Sequence, residues 1–328
     1  MKWRLLIAVL LDLSILDAAS FAQRPPEEER LSSTRRPPQD DKLFSEGGVV
    51  RFQLIQGRLG LDAPRHRKGS DENREGGVLE SISVTADRGL PSLHYVYQNK
   101  HQHLVLSVQE ATHVQIESWL PQTSERSNLD QPEFGSIRWT IQRDSLTEHY
   151  VGPTLLHVRL QNSTVFDLHY GNLIERVLCG RSLAQINRDA DATLINQIAD
   201  SPAPSVDAIT TCVDAFRSNR RATRTSAQKR LLSWGTPVVP VLQDALSDNL
   251  DAEQTARVKA TIRKLRPMVE DTPRSLAALM RIDQKYWGFI APSLDSQQIV
   301  TVNEHLQRVG LVQIESSTEP VRRIATRP

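Results

Sequence analysis

The stretch Ile82-Ser83-Val84-Thr85-Ala86-Asp87-Arg88-Gly89-Leu90-Pro91-Ser92-Leu93-His94-Tyr95-Val96-Tyr97 decides the fold. Ile82, Val84 and Ala86 alternate with Ser81, Ser83 and Thr85. Asp87-Arg88-Gly89 has turn chemistry, and Leu93, Tyr95 and Tyr97 resume the alternation on the far side. A period of two on both flanks of a glycine-containing turn is a β-hairpin. The same pattern continues outward. Val50, Phe52 and Leu54 precede it. Leu104, Leu106 and Val108, then Val114 and Ile116, then Ile137, Trp139 and Ile141, and finally Leu146 to Val151 follow it. These spacings predict an antiparallel β module of six to eight strands over residues 49–151. Its apolar face must be covered, either by a second sheet in a sandwich-like arrangement or by helices. Gly57 to Gly77 and Pro121 to Pro132 are polar and read as long loops.

The period changes near Gly152. From Ser205 apolar residues recur at helical spacing: Val206, Ile209, Val213 and Phe216, then Ala227, Leu231 and Trp234, then Val241, Leu242 and Leu246. Asp251 and Gln254 have the spacing of a capping box before Val258, Ile262 and Leu265. Earlier in this half, Asp191 is placed to cap a short helix ending at Ile198. The fold class is therefore α+β, with an antiparallel β module followed by an all-α helical module over 152–312 and a flexible tail over 313–328.

The chain has 328 residues, with 40 Lys+Arg against 39 Asp+Glu, 9 His and 2 Cys. A balanced charge argues against a nucleic-acid partner held by bulk positive potential. Two thiols cannot build a disulfide-rich scaffold or a four-thiolate zinc site. Met1 to Ala22 reads as a secretory signal peptide: Lys2 and Arg4, an apolar run from Leu5 to Leu16, and small residues at Ser20 and Ala22 before a cleavage point at Gln23. The apolar run is shorter than the roughly 20 residues that span a bilayer. Residues 23–48 are rich in proline and charge and read as a disordered spacer. The expected location is the periplasm or cell exterior, with no stable membrane insertion after cleavage.

Within 222–266, Ala227, Leu231-Leu232, Gly235-Thr236-Pro237, Val238-Val239-Pro240-Val241-Leu242, Ala245-Leu246, Asp251 and Leu265 form a helix, a glycine-proline break and two further apolar stripes. This segment resembles a HEAT-type repeat, which implies paired antiparallel helices and a protein-contact role. One unit is clear and about three are needed for a free-standing solenoid, so a short bundle is expected. Gly89-Leu90-Pro91-Ser92-Leu93-His94-Tyr95, Gly152-Pro153-Thr154-Leu155-Leu156-His157, and Asp271-Thr272-Pro273 followed by Tyr286-Trp287 carry a second likeness. The overall layout resembles a group of exported proteins of planctomycete-type bacteria that join a signal peptide, a Pro-rich spacer, a β module and a HEAT-like module. That resemblance implies architecture and export, and no activity.

Motifs for phosphate cradling, a nucleophile elbow or an H-E-x-x-H zinc site do not occur, and no cofactor is implied. Four residue sets are candidates. His101 and His103 share a face if both are on a strand, and His94 could approach across the hairpin to complete a metal site. Asn187, Asp189 and Asp191 begin like a calcium loop, but Ala192 and Ile198 stand where the loop needs glycine and a carboxylate. Arg217, Arg220, Arg221 and Arg224 could grip a polyanion such as an acidic polysaccharide. A Cys179–Cys212 disulfide would close a loop of about 33 residues and contribute roughly 3–4 kcal/mol, with two free thiols as the alternative. The expected function is a non-catalytic binding or scaffolding protein that contacts another envelope or extracellular protein through its helical module. The alternatives are a metal-binding β module, or a hydrolase of an envelope polymer that uses His94, Glu117 and Asp144.

Overall fold

The computed structural model describes residues 43–44, 50–62, 69–87, 89–198, 203–247 and 249–315. The expected leader over 1–22 lies outside the described residues. The described residues all belong to one compact unit. The first strands among the described residues form a hairpin of β1 (Phe52–Ile55) and β2 (Arg58–Leu61). An eight-stranded sheet follows: β3 (Gly69–Glu75), β4 (Val78–Asp87), β5 (Leu90–Gln98), β6 (His103–Gln109), β7 (His113–Leu120), β8 (Glu125–Gln131), β9 (Ile137–Arg143) and β10 (Leu146–Gly152). Each strand pairs antiparallel with its neighbour in sequence, so the sheet is a simple meander.

The inner face carries Ile82, Val84, Leu93, Tyr95, Leu106, Ile116, Leu129, Trp139 and Ile141, all buried. Helices cover it, so of the two expected arrangements the structure adopts the helix-covered sheet. α1 (Leu155–Gln161) lies against β9 and β10. α2 (Ser163–Phe166), a π-helical turn (Asp167–Gly171) and α3 (Asn172–Val177) run on from it. Trp139 is the centre of this contact. Its ring stacks on Tyr150 at 4.6 Å and meets Phe166 edge-on at 5.3 Å.

The remaining helices are α4 (Leu183–Gln197), α5 (Val206–Asp214), α6 (Arg221–Trp234), α7 (Val239–Ala245), α8 (Ala252–Leu265), α9 (Pro273–Met280), α10 (Gln284–Ile290) and α11 (Ser296–Arg308). Their starts follow local chemistry. Ser182, Ser205 and Asp283 each accept a backbone N–H as N-caps. Asp251 with Gln254, and Asp295 with Gln298, form capping boxes. α5, α6 and α8 enclose a second core around Ile209, Phe216, Leu231, Leu242 and Val258.

Several expectations change. The stretch Gly57 to Gly77 holds β2 and β3, and Pro121 to Pro132 holds β8. Leu43 and Phe44, inside the expected spacer, are buried, with Phe44 edge-on to Tyr95 at 5.0 Å. Asn187, Asp189 and Asp191 sit within α4, which Ser182 caps, so they form neither a loop nor a cap. Asp191 instead accepts a hydrogen bond from the Tyr286 hydroxyl at 2.6 Å.

The β1–β2 hairpin wedges between sheet and helices. Gly57 at its tip has φ +69°, and a Cβ there would stand 2.7 Å from the Thr154 Cβ. Gly76, in the β3–β4 turn, has φ +59° but open space around it. Both positions therefore carry the left-handed backbone cost, and only Gly57 adds a collision. Gly57→Ala should cost about 2–4 kcal/mol in urea unfolding, and Gly76→Ala about 1 kcal/mol. Equal losses at the two positions would contradict the wedge.

Candidate functional site

The β5–β6 and β7–β8 turns and the π-helical turn converge at one end of the inner sheet face. Between them lies a cleft of about 470 Å³, within the size range of small-molecule pockets. Leu104, Leu120, Leu168 and Leu173 give it an apolar wall. Asn99, His101, Gln102 and Gln122 give it a polar rim. Leu168 is 59% exposed, an apolar side chain held at the mouth. Arg176 closes the far side. It is bonded to Glu80 at 2.8 Å and to the Tyr95 hydroxyl at 2.8 Å, and it lies over the Phe44 ring.

The rim is built by short-range bonds. Asn99 Oδ1 accepts the backbone N–H groups of His101 and Gln102, both at 2.7 Å, which shapes the β5–β6 turn. Gln122 Nε2 lies 2.9 Å from His101 Nδ1 and joins the two turns.

The π turn has a local cause. Consecutive residues His169 and Tyr170 both point into the sheet and bond to β7 and β8. Tyr170 meets the Ser127 hydroxyl at 2.7 Å. His169 Nδ1 meets Ser118 Oγ at 3.0 Å, and its Nε2 meets Glu125 Oε1 at 2.8 Å. A wider turn lets two successive side chains share one face, and such π insertions recur at functional sites.

The proton positions in this network follow from its partners. Burial alone would raise the Glu125 carboxyl, but hydrogen bonds from Arg143 and His169 outweigh it and hold it below the usual carboxylate range. Burial pushes the His169 imidazole below its ordinary value, against the opposing pull of Glu125. A neutral His169 beside an ionised Glu125 must place its proton on Nε2. Nδ1 then accepts from the Ser118 hydroxyl. Gln102 spends both amide hydrogens here, on Ser118 Oγ at 2.9 Å and on the His169 carbonyl at 2.7 Å.

The order serine–histidine–carboxylate is that of an acyl-transfer base chain. Ser118 is 2% exposed, however, and Gln102 caps its oxygen from the cleft side. In this state the network positions the cleft wall and presents no nucleophile. The sequence reading missed it because Ser118, Glu125 and His169 belong to no spaced motif. The one available signal was the alternation Glu125, Ser127, Leu129, Gln131.

The structure disperses the expected sites. His94 pairs across the strands with Ser107, and His103 pairs with Gln98. They are thus four residues apart along the hairpin, roughly 13 Å. His101 stands in the turn, not on a strand. Among the described residues no three His, Cys, Asp or Glu side chains could hold a metal ion, so the His94, His101 and His103 metal site is corrected. Only His101 of the three lines the cleft. Glu117 lies two strands over and two residues along from His94, roughly 12 Å away. Asp144 is in the β9–β10 turn, so no acid–base pair forms from these three.

Cys179 and Cys212 are both free thiols. Cys212 faces the second core, while Cys179 Sγ donates to the Phe44 carbonyl at 3.2 Å. The disulfide is therefore corrected to two separate thiols. The arginine run is also divided. Arg217 bonds Gln254 at 2.8 Å, and Arg224 bonds the Ser218 carbonyl at 2.7 Å and pairs with Glu253. Arg220 and Arg221 are exposed.

Compared with known proteins, the chain matches no family model, no curated protein and no solved structure. Among the described residues no helix is long and apolar enough to cross a membrane.

The pH response should report the His169 network. An imidazole held below its ordinary value of 6.5 binds fewer protons folded than unfolded, so its contribution to stability is present above about 6.5 and is lost as pH falls. His305 acts in the same direction. Denaturation midpoints taken from pH 7.5 down to 5 should fall more steeply for the wild type than for His169→Gln. A steeper fall in the variant would contradict the buried neutral assignment.

Proposed function

We propose that the chain is a non-catalytic binding protein that works in the periplasm or cell exterior. Its ligand in this reading is an uncharged amphiphilic small molecule held in the cleft between the sheet end and the π turn. The observation that carries this reading is the division of the cleft. Leu104, Leu120, Leu168 and Leu173 offer an apolar wall, while Asn99, Gln102, Gln122 and His101 offer hydrogen bonds at the rim. Pockets of this kind gain affinity from the apolar wall and orientation from a few polar groups. The Arg176 charge is matched by Glu80, which favours an uncharged ligand over an anion. Export rests on the leader-like Met1 to Ala22.

The experiment is native mass spectrometry and organic extraction of the full chain purified from an envelope fraction, followed by titration with alkyl glycosides and aliphatic amides. Wild type should carry or bind an amphiphile. Leu168→Asp places a charge on the apolar mouth and should weaken binding about tenfold or more, with unchanged circular dichroism. Equal binding by wild type and Leu168→Asp would exclude the cleft. The N-terminus of the fractionated protein should begin at Gln23, and a chain retaining Met1 would count against the export reading.

A second reading keeps a protein partner on the helical half. Met268 and Val269, between α8 and α9, are 93% and 69% exposed. Deleting this half is no test, because it would also remove Leu265 and Asp271, which bond the hairpin. Point changes to Glu at Met268 and Val269 keep the core and test the surface alone.

A further inference from the structure

The hairpin, the β8–β9 loop and the end of α8 enclose a second, smaller cavity of about 30 Å³, far from the amphiphile cleft in composition. It has room for one or two water-sized bodies. Three guanidiniums line it, Arg58, Arg263 and Arg266, against one lining carboxylate, Glu133. Arg263 takes that carboxylate through two bonds, at 3.1 and 3.2 Å.

Arg58 is 8% exposed and gives three of its N–H groups to carbonyls, those of Pro132, Gly135 and Pro153. None goes to a carboxylate among the described residues. Asp130 acts on Arg58 from a distance, but its oxygens are engaged by His113, Gln115 and Arg138. Arg266 is partly buried, and its guanidinium, whose polar atoms are not sealed from solvent, forms no hydrogen bond or ion pair with the other described residues. Gly60 makes room for it: a Cβ there would stand 3.2 Å from Arg266 Nη2.

Two guanidiniums thus face one small cavity with no carboxylate bonded to either, although Glu133 acts on Arg266 from a distance. Like charges brought together out of bulk water repel strongly. Burial and the neighbouring Arg266 push Arg58 down to about 9. Burial also lowers Arg266. The site has the charge, the donors and the room for a counterion.

We propose that this cavity is an anion site, in which one small monovalent anion sits between Arg58 and Arg266. Chloride and the carboxylate head of a small organic acid share the required size and charge. Phosphate and sulfate exceed the space. The anion ties the hairpin to the end of α8 and so locks sheet and helices together at the seam.

The test is thermal unfolding of the full chain as sodium chloride, or separately sodium acetate, is titrated into a salt-poor buffer. An anion that binds only the folded state raises the midpoint along a saturating curve. The double variant Arg220→Gln/Arg221→Gln, with two exposed arginines removed, controls for general screening and should keep the wild-type curve. Arg266→Met should unfold above the wild type in salt-poor buffer, because a like charge is gone, and should lose the saturating rise. The anion with the lower half-saturation concentration is the ligand. Parallel curves for wild type and Arg266→Met would overturn the proposal. If Arg266→Met does not fold, the chlorine-35 line width over wild-type protein decides. Broadening that saturates and is reversed by acetate supports the site, and an unaffected line width together with no saturating rise of the wild-type midpoint in acetate overturns it.

Discussion

The buried guanidinium of Arg58 anchors to the sheet the hairpin that joins the two halves of the fold. An arginine stays charged in nearly any surroundings, and a buried charge must be surrounded by acceptors. Here three carbonyl oxygens supply them, at 2.7 to 2.9 Å, from the β8–β9 loop and from the residue just after β10. The rest of the hairpin extends the grip. Gln131 brackets Leu59 with a bond to its N–H and another to its carbonyl. Asp271 accepts from the Gly57 N–H at 2.7 Å, and its own N–H donates to the Leu54 carbonyl. A ten-residue hairpin therefore holds the sheet on one side and the α8–α9 connection on the other.

How much of this was legible in the sequence depends on what faces inward. β4 to β7 and β9 alternate cleanly, because their inner positions are apolar apart from Glu80 on β4 and Ser118 on β7, and the periodicity finds them. β8 also alternates, but its inner positions are Glu125, Ser127, Leu129 and Gln131. Polar side chains at buried positions defeat a hydrophobic period. They are tolerable here because each has partners: His169 and Arg143, Tyr170 and Trp139, and the Leu59 backbone. Those partners come from distant segments, so the reason for β8 is invisible until the fold is assembled. The cleft was missed for the same cause. Its wall is set by a π turn that exists only because two side chains reach two strands.

The metal and acid–base expectations failed on register. Residue spacing in a hairpin says which face a side chain takes, but pairing decides what stands opposite it. With Gln98 opposite His103, the histidines on neighbouring strands are offset by four positions. The cysteines failed on a related point. Cys212 faces the second core, whereas Cys179 follows the end of α3 with a positive φ and turns toward Phe44.

The edge strand β3 reads Gly-Ser-Asp-Glu-Asn-Arg-Glu, with no apolar side chain at all. A meander necessarily leaves its first strand with an unpaired row of backbone groups, an invitation for a second copy to add a strand. Crowding that row with Asp71, Glu72, Arg74 and Glu75 makes such stacking electrostatically and hydrophobically unrewarding. The segment that contributes least to the core thus protects the sheet from growing into a fibre.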